Sequence, residues 1–257
     1  MGFAVTGGGR TYGESADRPG IQLYGRQLEL LKEIHATGTP MIVILVGARP
    51  LSTPWIIDNI PAFLNTWEPG MQGGRAIADV LFGNYNPSGR LPTTIARSVG
   101  HIPQYHAQFR TRYYIGYRLG GEKVNSPFYN FGHGLSYTEF EYSNLQLVEQ
   151  FPLNEEEITL KVDVENTGKM AGKETVMVFV RDVVSSVATP ERELKAFGKV
   201  ELKPGEKKTI SLTIPQKWLA LFNREMEEVV EPGDFDIMIG HASDDIRLQK
   251  TISIGLN

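Results

Sequence analysis

The hydrophobic period of the chain changes near residue 140, and that change constrains the fold more than any other feature. Upstream, apolar residues come in short unbroken runs between helical patterns. Phe3-Ala4-Val5 ends at Thr6-Gly7-Gly8-Gly9; Leu28, Leu31 and Ile34 share one helical face; Met41-Ile42-Val43-Ile44-Leu45-Val46 is a continuous β-rich run. Pro54 to Ile60 reads as a short helix, Ala62 to Trp67 as a further strand, and Gly70 to Phe82 as a helix with Ile77, Val80 and Leu81 apolar. Strands without alternation are those of a parallel sheet covered on both faces, so the expectation is a βαβαβα arrangement. Three strands are few for such a sheet and the first begins at residue 3, so Met1 reads as a break inside a domain.

Downstream the period is two. Leu160, Val162 and Val164 alternate with polar neighbours, as do Ile210, Leu212 and Ile214, and Phe235, Ile237 and Ile239. Turn residues separate them at Asn166-Thr167-Gly168, Pro204-Gly205-Glu206 and Pro232-Gly233-Asp234. Short alternating strands without a long helix predict an antiparallel β-sandwich of the immunoglobulin-like kind. The expected organisation is therefore an incomplete α/β sandwich over 1–83, a wrapping segment rich in Gly, Pro, Tyr and Arg over 84–138, and a β-sandwich over 139–257. A stretch as long as 84–138 without periodicity is expected to complete or fasten a domain rather than hang as a linker.

Composition narrows the function. The 257 residues carry 26 Lys plus Arg against 30 Asp plus Glu, a net charge of −4, which gives no reason to expect nucleic acid or an anionic membrane as partner. No apolar run approaches the length of a membrane helix. Zero Cys removes disulfides, thiolate nucleophiles and Cys-ligated metals, without locating the protein in the periplasm, the medium or the cytoplasm. Gly8 to Ser15 has the spacing of a phosphate-binding loop but places Glu14 where the phosphate-neutralising Lys belongs, and the dinucleotide pattern fails at its third Gly. No G-x-S-x-G elbow supplies a serine nucleophile, and His101 and His106 lack the spacing of a metal site. No cofactor or metal is expected. What remains is a Gly-rich loop after a strand of a parallel sheet, where such folds place their sites, carrying Glu14 beside Asp17 and Arg18.

These residues carry a resemblance. Gly13-Glu14-Ser15-Ala16-Asp17-Arg18, followed by a helix containing Gln27 and Leu31, resembles the catalytic-loop segment of family 3 glycoside hydrolases. Trp67-Glu68-Pro69-Gly70, Gly73-Gly74, the run Ala76 to Gly83, Asn86-Pro87-Ser88-Gly89-Arg90-Leu91-Pro92 and Phe131-Gly132-His133-Gly134-Leu135-Ser136-Tyr137-Thr138 resemble that family's second domain in the same order. The tail, with Asn166-Thr167-Gly168, Ala171-Gly172, Pro190, Glu193-Leu194, Phe197 and Pro204-Gly205-Glu206, is similar to the fibronectin type III-like domain that often follows it.

The resemblance implies a retaining, exo-acting β-glycosidase, most simply a β-glucosidase, removing non-reducing-end sugars from a β-glucoside or oligosaccharide. Retention uses two carboxyls about 5–5.5 Å apart. In the family the nucleophile is an Asp on an N-terminal (β/α)8 barrel and the acid/base a Glu on a loop of the second domain. Glu14 matches that Glu; Asp17 and Arg18 then orient it or pair with each other, and Trp67 and Glu68 line the sugar pocket or pack. No segment reads as the family's Ser-Asp-Trp nucleophile motif, and there are too few βα units for a barrel. The barrel becomes an expected partner, and an uncovered sheet edge implies self-association, in the simplest case a homodimer. The rival expectation is an accessory module that binds carbohydrate or a partner domain without chemistry.

Overall fold

The computed structural model describes residues 20–99, 127–147, 150–153 and 157–255. They pack as two compact units. The first holds the described residues up to 85 together with 93–99 and 127–129, and the second holds 86–92 and the described residues from 130 onward. The 84–138 stretch is thus shared between the units.

The first unit runs α1 (Gln27–Ala36), β1 (Ile42–Val46), α2 (Pro54–Asn59), β2 (Ala62–Trp67) and α3 (Gly73–Leu81). β1 and β2 pair in parallel, Ile42 opposite Ala62 and Val46 opposite Trp67. The expected first strand, Phe3 to Val5, lies outside the described residues. Pro54 opens α2, where a missing N–H costs nothing and φ is preset for a helix. α3 starts later than its apolar pattern suggested, because Gly70 takes φ +69° and turns the chain before the helix begins. The core of the unit is small: Val43, Ile56, Ile60 and Ile95 are buried, and Leu23, Leu31, Met41, Trp55 and Phe63 pack on the first three. Phe63 also meets Tyr129, ring centroids 5.9 Å apart, and Phe128 donates its N–H to the Ile95 carbonyl at 2.9 Å.

The second unit is a sandwich. One sheet orders β3 (Phe140–Leu147), β5 (Glu157–Asn166) and β8 (Lys207–Pro215), all antiparallel. The other orders β4 (Gln150–Phe151), β12 (Asp245–Ile254), β11 (Gly233–Ala242), β6 (Gly172–Asp182) and β7 (Glu193–Leu202), antiparallel except where β4 joins β12. β9 (Leu221–Phe222) and β10 (Glu228–Val229) form a separate two-stranded ribbon. The alternation in β5 buries Ile158, Leu160, Val162 and Val164 completely against Val176, Val178, Ile237, Ile239 and Ile252 of the facing sheet. Removing apolar side chains from water on this scale is the main force holding the unit together.

β6 departs from alternation: Glu174 through Val180 are buried consecutively, the mark of a strand covered on both faces. Its second face, Met177 and Phe179 with Met238 of β11, is capped by Phe131, whose ring meets Phe179 edge-on at 6.4 Å. Phe131 arrives on a strap built from two distant segments. Leu91 N–H donates to the His133 carbonyl and Gly132 N–H to the Leu91 carbonyl, each at 2.9 Å, while Ser243 N–H donates to the Phe131 carbonyl at 2.9 Å. Gly132 has φ +89°, and a Cβ there would lie 2.7 Å from the Ala242 Cα, so only glycine lets the strap lie this close to β11.

Asparagines tie the strap down. Asn86 donates to the Ala171 carbonyl at 3.0 Å and accepts from Ser136 Oγ and Tyr137 N–H at 2.9 and 2.8 Å. Asn166, fully buried, accepts from Thr138 Oγ1 at 2.7 Å and donates to the Met170 and Leu202 carbonyls at 2.8 and 3.1 Å. The motifs 86–92 and 131–138 thus fasten to each other and to the sandwich.

Candidate active site

Ligands of open parallel sheets bind beyond the carboxyl ends of the strands. In the first unit those ends are Val46 and Trp67, followed by the loops 47–53 and 67–72. The two ends are stitched together: Gly47 N–H donates to the Trp67 carbonyl and Thr66 Oγ1 to the Leu45 carbonyl, both at 3.0 Å. The pairing register slips between Leu45 and Val46, and at that irregularity Trp67 adopts φ +52°. A non-glycine residue in the left-handed region costs on the order of 1–3 kcal/mol and persists where its surroundings over-determine it, often at functional sites.

Past Trp67 the chain turns out from the sheet. Glu68 is exposed and Met71 is 98% exposed. The turn is braced from the helix side, because Gly73 sits against Pro69 so closely that a Cβ there would lie 2.6 Å from the proline Cγ. Across the edge, Ser52 is buried and donates through Oγ to the Arg97 carbonyl at 2.5 Å, while its N–H donates to the Ile21 carbonyl at 2.7 Å. Both loops are therefore held, and the second carries the half-buried Trp67 and the exposed carboxylate of Glu68 at the edge where a parallel sheet takes its ligand. An exposed carboxylate accepts hydrogen bonds from hydroxyls, and an indole face receives the apolar C–H side of a sugar ring.

The structure brings Trp67 and Glu68 to this edge. Glu14, Asp17 and Arg18 lie outside the described residues. Among the described residues no three His, Asp or Glu converge in a metal-binding arrangement.

Sequence reasoning missed a buried ionic cluster in the second unit. Glu174 of β6, 1% exposed, pairs with Arg90 Nη2 at 2.7 Å and accepts from the Tyr142 hydroxyl at 2.7 Å. Arg90 Nη1 donates to the Gly134 carbonyl, joining both strap segments to the pair. His241 lies beside it, Nδ1 3.7 Å from Glu174 Oε1 and Nε2 3.0 Å from Asp245 Oδ2. Burial, and then the Glu174 charge it donates to, push the Tyr142 phenol far above its ordinary range. Burial, reinforced by the Arg90 charge, holds the His241 imidazole below its usual value despite both carboxylates. Arg90 and Glu174 are buried, while His241 and Asp245 stay partly open at 24% and 38% exposure, and the buried pair fixes the strap to β6. One signal was legible, a Glu at a buried phase of an otherwise apolar run; its partner, 84 positions away, was not.

Residues 2–137, just over half of the chain, match the family model described as the glycosyl hydrolase family 3 C-terminal domain. The chain belongs to glycosyl hydrolase family 3. Residues 174–243 match the fibronectin type III-like domain, so the family 3 α/β domain is followed by a fibronectin-like sandwich. Among curated relatives, a beta-xylosidase of Formosa agariphila is 41% identical over 249 residues, covering 95% of this chain and 34% of the relative. A periplasmic beta-glucosidase of Salmonella typhimurium is 39% identical over 237 residues, 88% of this chain and 31% of the relative. A crystal structure of a beta-glucosidase from Listeria innocua in complex with glucose superposes with a TM-score of 0.86 at 33% identity, over 96% of this chain and 35% of that one. The chain spans about a third of the length of these relatives, and it corresponds to the C-terminal part of β-glucosidase- and β-xylosidase-like family 3 proteins.

Proposed function

We propose that this chain is the C-terminal part of a retaining, exo-acting β-glycosidase, most simply a β-glucosidase, and that it supplies the general acid/base Glu14 to a site whose nucleophilic Asp stands on an N-terminal (β/α)8 barrel. The observation that carries the reading is the family match through residues 2–137, which runs across Gly13-Glu14-Ser15-Ala16-Asp17-Arg18 in the family's order. In the first half of the reaction the Asp carboxylate attacks the anomeric carbon while Glu14 gives its proton to the departing glycosidic oxygen. In the second, Glu14 takes a proton from water, and the water oxygen displaces the Asp and restores the configuration. Asp17 and Arg18 orient Glu14. Trp67 and Glu68 border the sugar, the indole against a ring face and the carboxylate accepting from hydroxyls. The left-handed Trp67 at the carboxyl edge of the sheet supports that placement.

The test joins the chain to a family 3 barrel and compares leaving groups. A proton matters most when the leaving group is poor, so Glu14→Ala is expected to slow hydrolysis of disaccharides and alkyl glucosides about 10²–10⁴-fold, and glycosylation by dinitrophenyl glucoside far less. Azide is expected to rescue turnover, giving a glycosyl azide of retained configuration, while Asp17→Ala shows neither effect. Equal losses on all substrates without azide rescue would remove Glu14 from this role, and Glu68 becomes the next carboxylate to replace. The chain alone, without a nucleophile, is expected to release no nitrophenol from aryl β-glucosides or β-xylosides.

A further inference from the structure

We infer that the sandwich unit carries an accessory binding surface for neutral β-linked polysaccharide on the β9–β10 ribbon and the 3-10 turn that leads into it. That turn spans Gln216–Leu219 and is nailed down at both ends. Gln216 is buried and donates through Nε2 to the Pro152 carbonyl at 2.9 Å, while Leu219 is buried in the main core. Between these anchors Trp218 faces outward, 50% exposed. A Trp is seldom left this open without a use, because hiding its ring is worth more than hiding almost any other side chain.

The ribbon follows directly in the chain. In its register Phe222 stands opposite Glu228 and Leu221 opposite Val229, so an aromatic ring and a carboxylate share one face, with Phe222 59% exposed. Asn223 locks the connecting turn: its Oδ1 accepts the N–H groups of Glu225 and Glu227 at 3.0 and 2.9 Å, and its backbone N–H donates to the Glu227 carbonyl at 3.0 Å. Met226 sits at the tip with φ +63° and 76% of its surface exposed. Three large apolar side chains within nine residues are thus held out by rigid backbone, among the exposed charges of Lys217, Arg224, Glu225, Glu227 and Glu228. Rigid presentation lowers the ordering cost of binding.

The charges around the rings choose the ligand. Glu225, Glu227 and Glu228 stand against the exposed Lys217 and Arg224, so the surface carries no cationic excess to draw phosphate or nucleic acid, and a purely apolar partner would leave these charges unpaired. A pyranose in a β-linked chain offers apolar C–H faces for Trp218 and Phe222 and equatorial hydroxyls that donate to carboxylates. That ligand class also agrees with the glycosidase reading above, on which only the choice of sugar rests.

The experiment is affinity electrophoresis of the 257-residue chain through gels containing hydroxyethylcellulose or soluble xylan, with cellohexaose titrated against tryptophan fluorescence in solution. The chain is expected to be retarded by at least one of the polymers. Trp218→Ala with Phe222→Ala is expected to weaken retardation about tenfold or more, the size of one lost stacking contact. Phe197→Ala, which removes an exposed ring on β7, should leave it unchanged, and Trp218→Phe should retain binding while losing the fluorescence response. Glu14→Ala should not affect retardation, which separates this surface from the proposed active site. Free migration of the unsubstituted chain in both polymers overturns the inference. So does undiminished retardation of a double variant with unchanged circular dichroism, or a change in sedimentation showing that the ribbon binds a second copy instead.

Discussion

The two units are held together quite differently. In the sandwich, apolar side chains of two sheets meet in one continuous core, and β6 is covered a second time by the strap through Phe131. In the α/β unit the described residues bury Val43, Ile56, Ile60 and Ile95, while Ile42, Val46, Met71 and Phe82 stay exposed. The difference teaches where each kind of residue is needed. The sandwich holds a charge inside because Arg90 and the Tyr142 hydroxyl satisfy Glu174, whereas in the α/β unit the buried polar side chains among the described residues are the neutral Ser52 and Thr53.

The sharpest way to break this contrast is to remove the buried charge pair. Arg90→Ala leaves Glu174 inside without its cation, which typically costs roughly 3–5 kcal/mol. Denaturant unfolding followed by hydrogen exchange is expected to show that loss in β6 and β11, with little change in β1 and α2. A loss below about 1 kcal/mol would mean that the pair is solvated.

A smaller effect comes from equal truncations in the two cores. Ile237→Ala in the sandwich should fall in the upper half of the ~2–5 kcal/mol range for such cavities, because its neighbours are pinned in two sheets. Ile56→Ala should sit near the lower end, since the half-buried Leu23, Trp55 and Phe63 around it have room to close in. Equal costs from urea midpoints would erase the distinction between the cores.

The smallest effect is on pH. Burial lowers the pKa of His133 and of His241 below the ordinary 6.5. The unfolded chain then takes up protons that the folded sandwich resists, so stability present above pH 6.5 falls as the pH drops below it. The urea midpoint is expected to decline between pH 7.5 and 5.5, and His241→Gln to flatten that decline. A midpoint that rises on acidification would show that the Glu174 and Asp245 charges outweigh burial.

Much of this arrangement was legible residue by residue. The unbroken run Met41 to Val46 did become a parallel strand, Ile42–Val46, although Val43 is its buried residue and Ile42 and Val46 are exposed; Leu160, Val162 and Val164 did point into a sandwich, because a period of two follows from one buried face. Helix α3 began later than its apolar pattern because a glycine turn outranked periodicity. The candidate site was readable as residue types, not as geometry. Trp has no preference for the left-handed region, so only the strand pairing discloses that Trp67 is held there. Arg90 and Glu174 were unreadable as partners because no local period links positions 84 apart.

The strap also bears on how such proteins can be cut and recombined. Among the described residues, 86–92 and those from 130 onward belong to the sandwich unit, while 93–99 and 127–129 belong to the other. A crossover placed at residue 139, where the repeating strands begin, would pair β6 from one parent with Arg90 and Phe131 from another. Their side chains would have to match across lineages for the hybrid to fold. A crossover at residue 85, more than fifty residues ahead of the first strand of the sandwich, keeps both halves of the clasp with the sheet they close, and it instead parts Ser52 and Phe63 from Arg97 and Tyr129, which must then match across lineages.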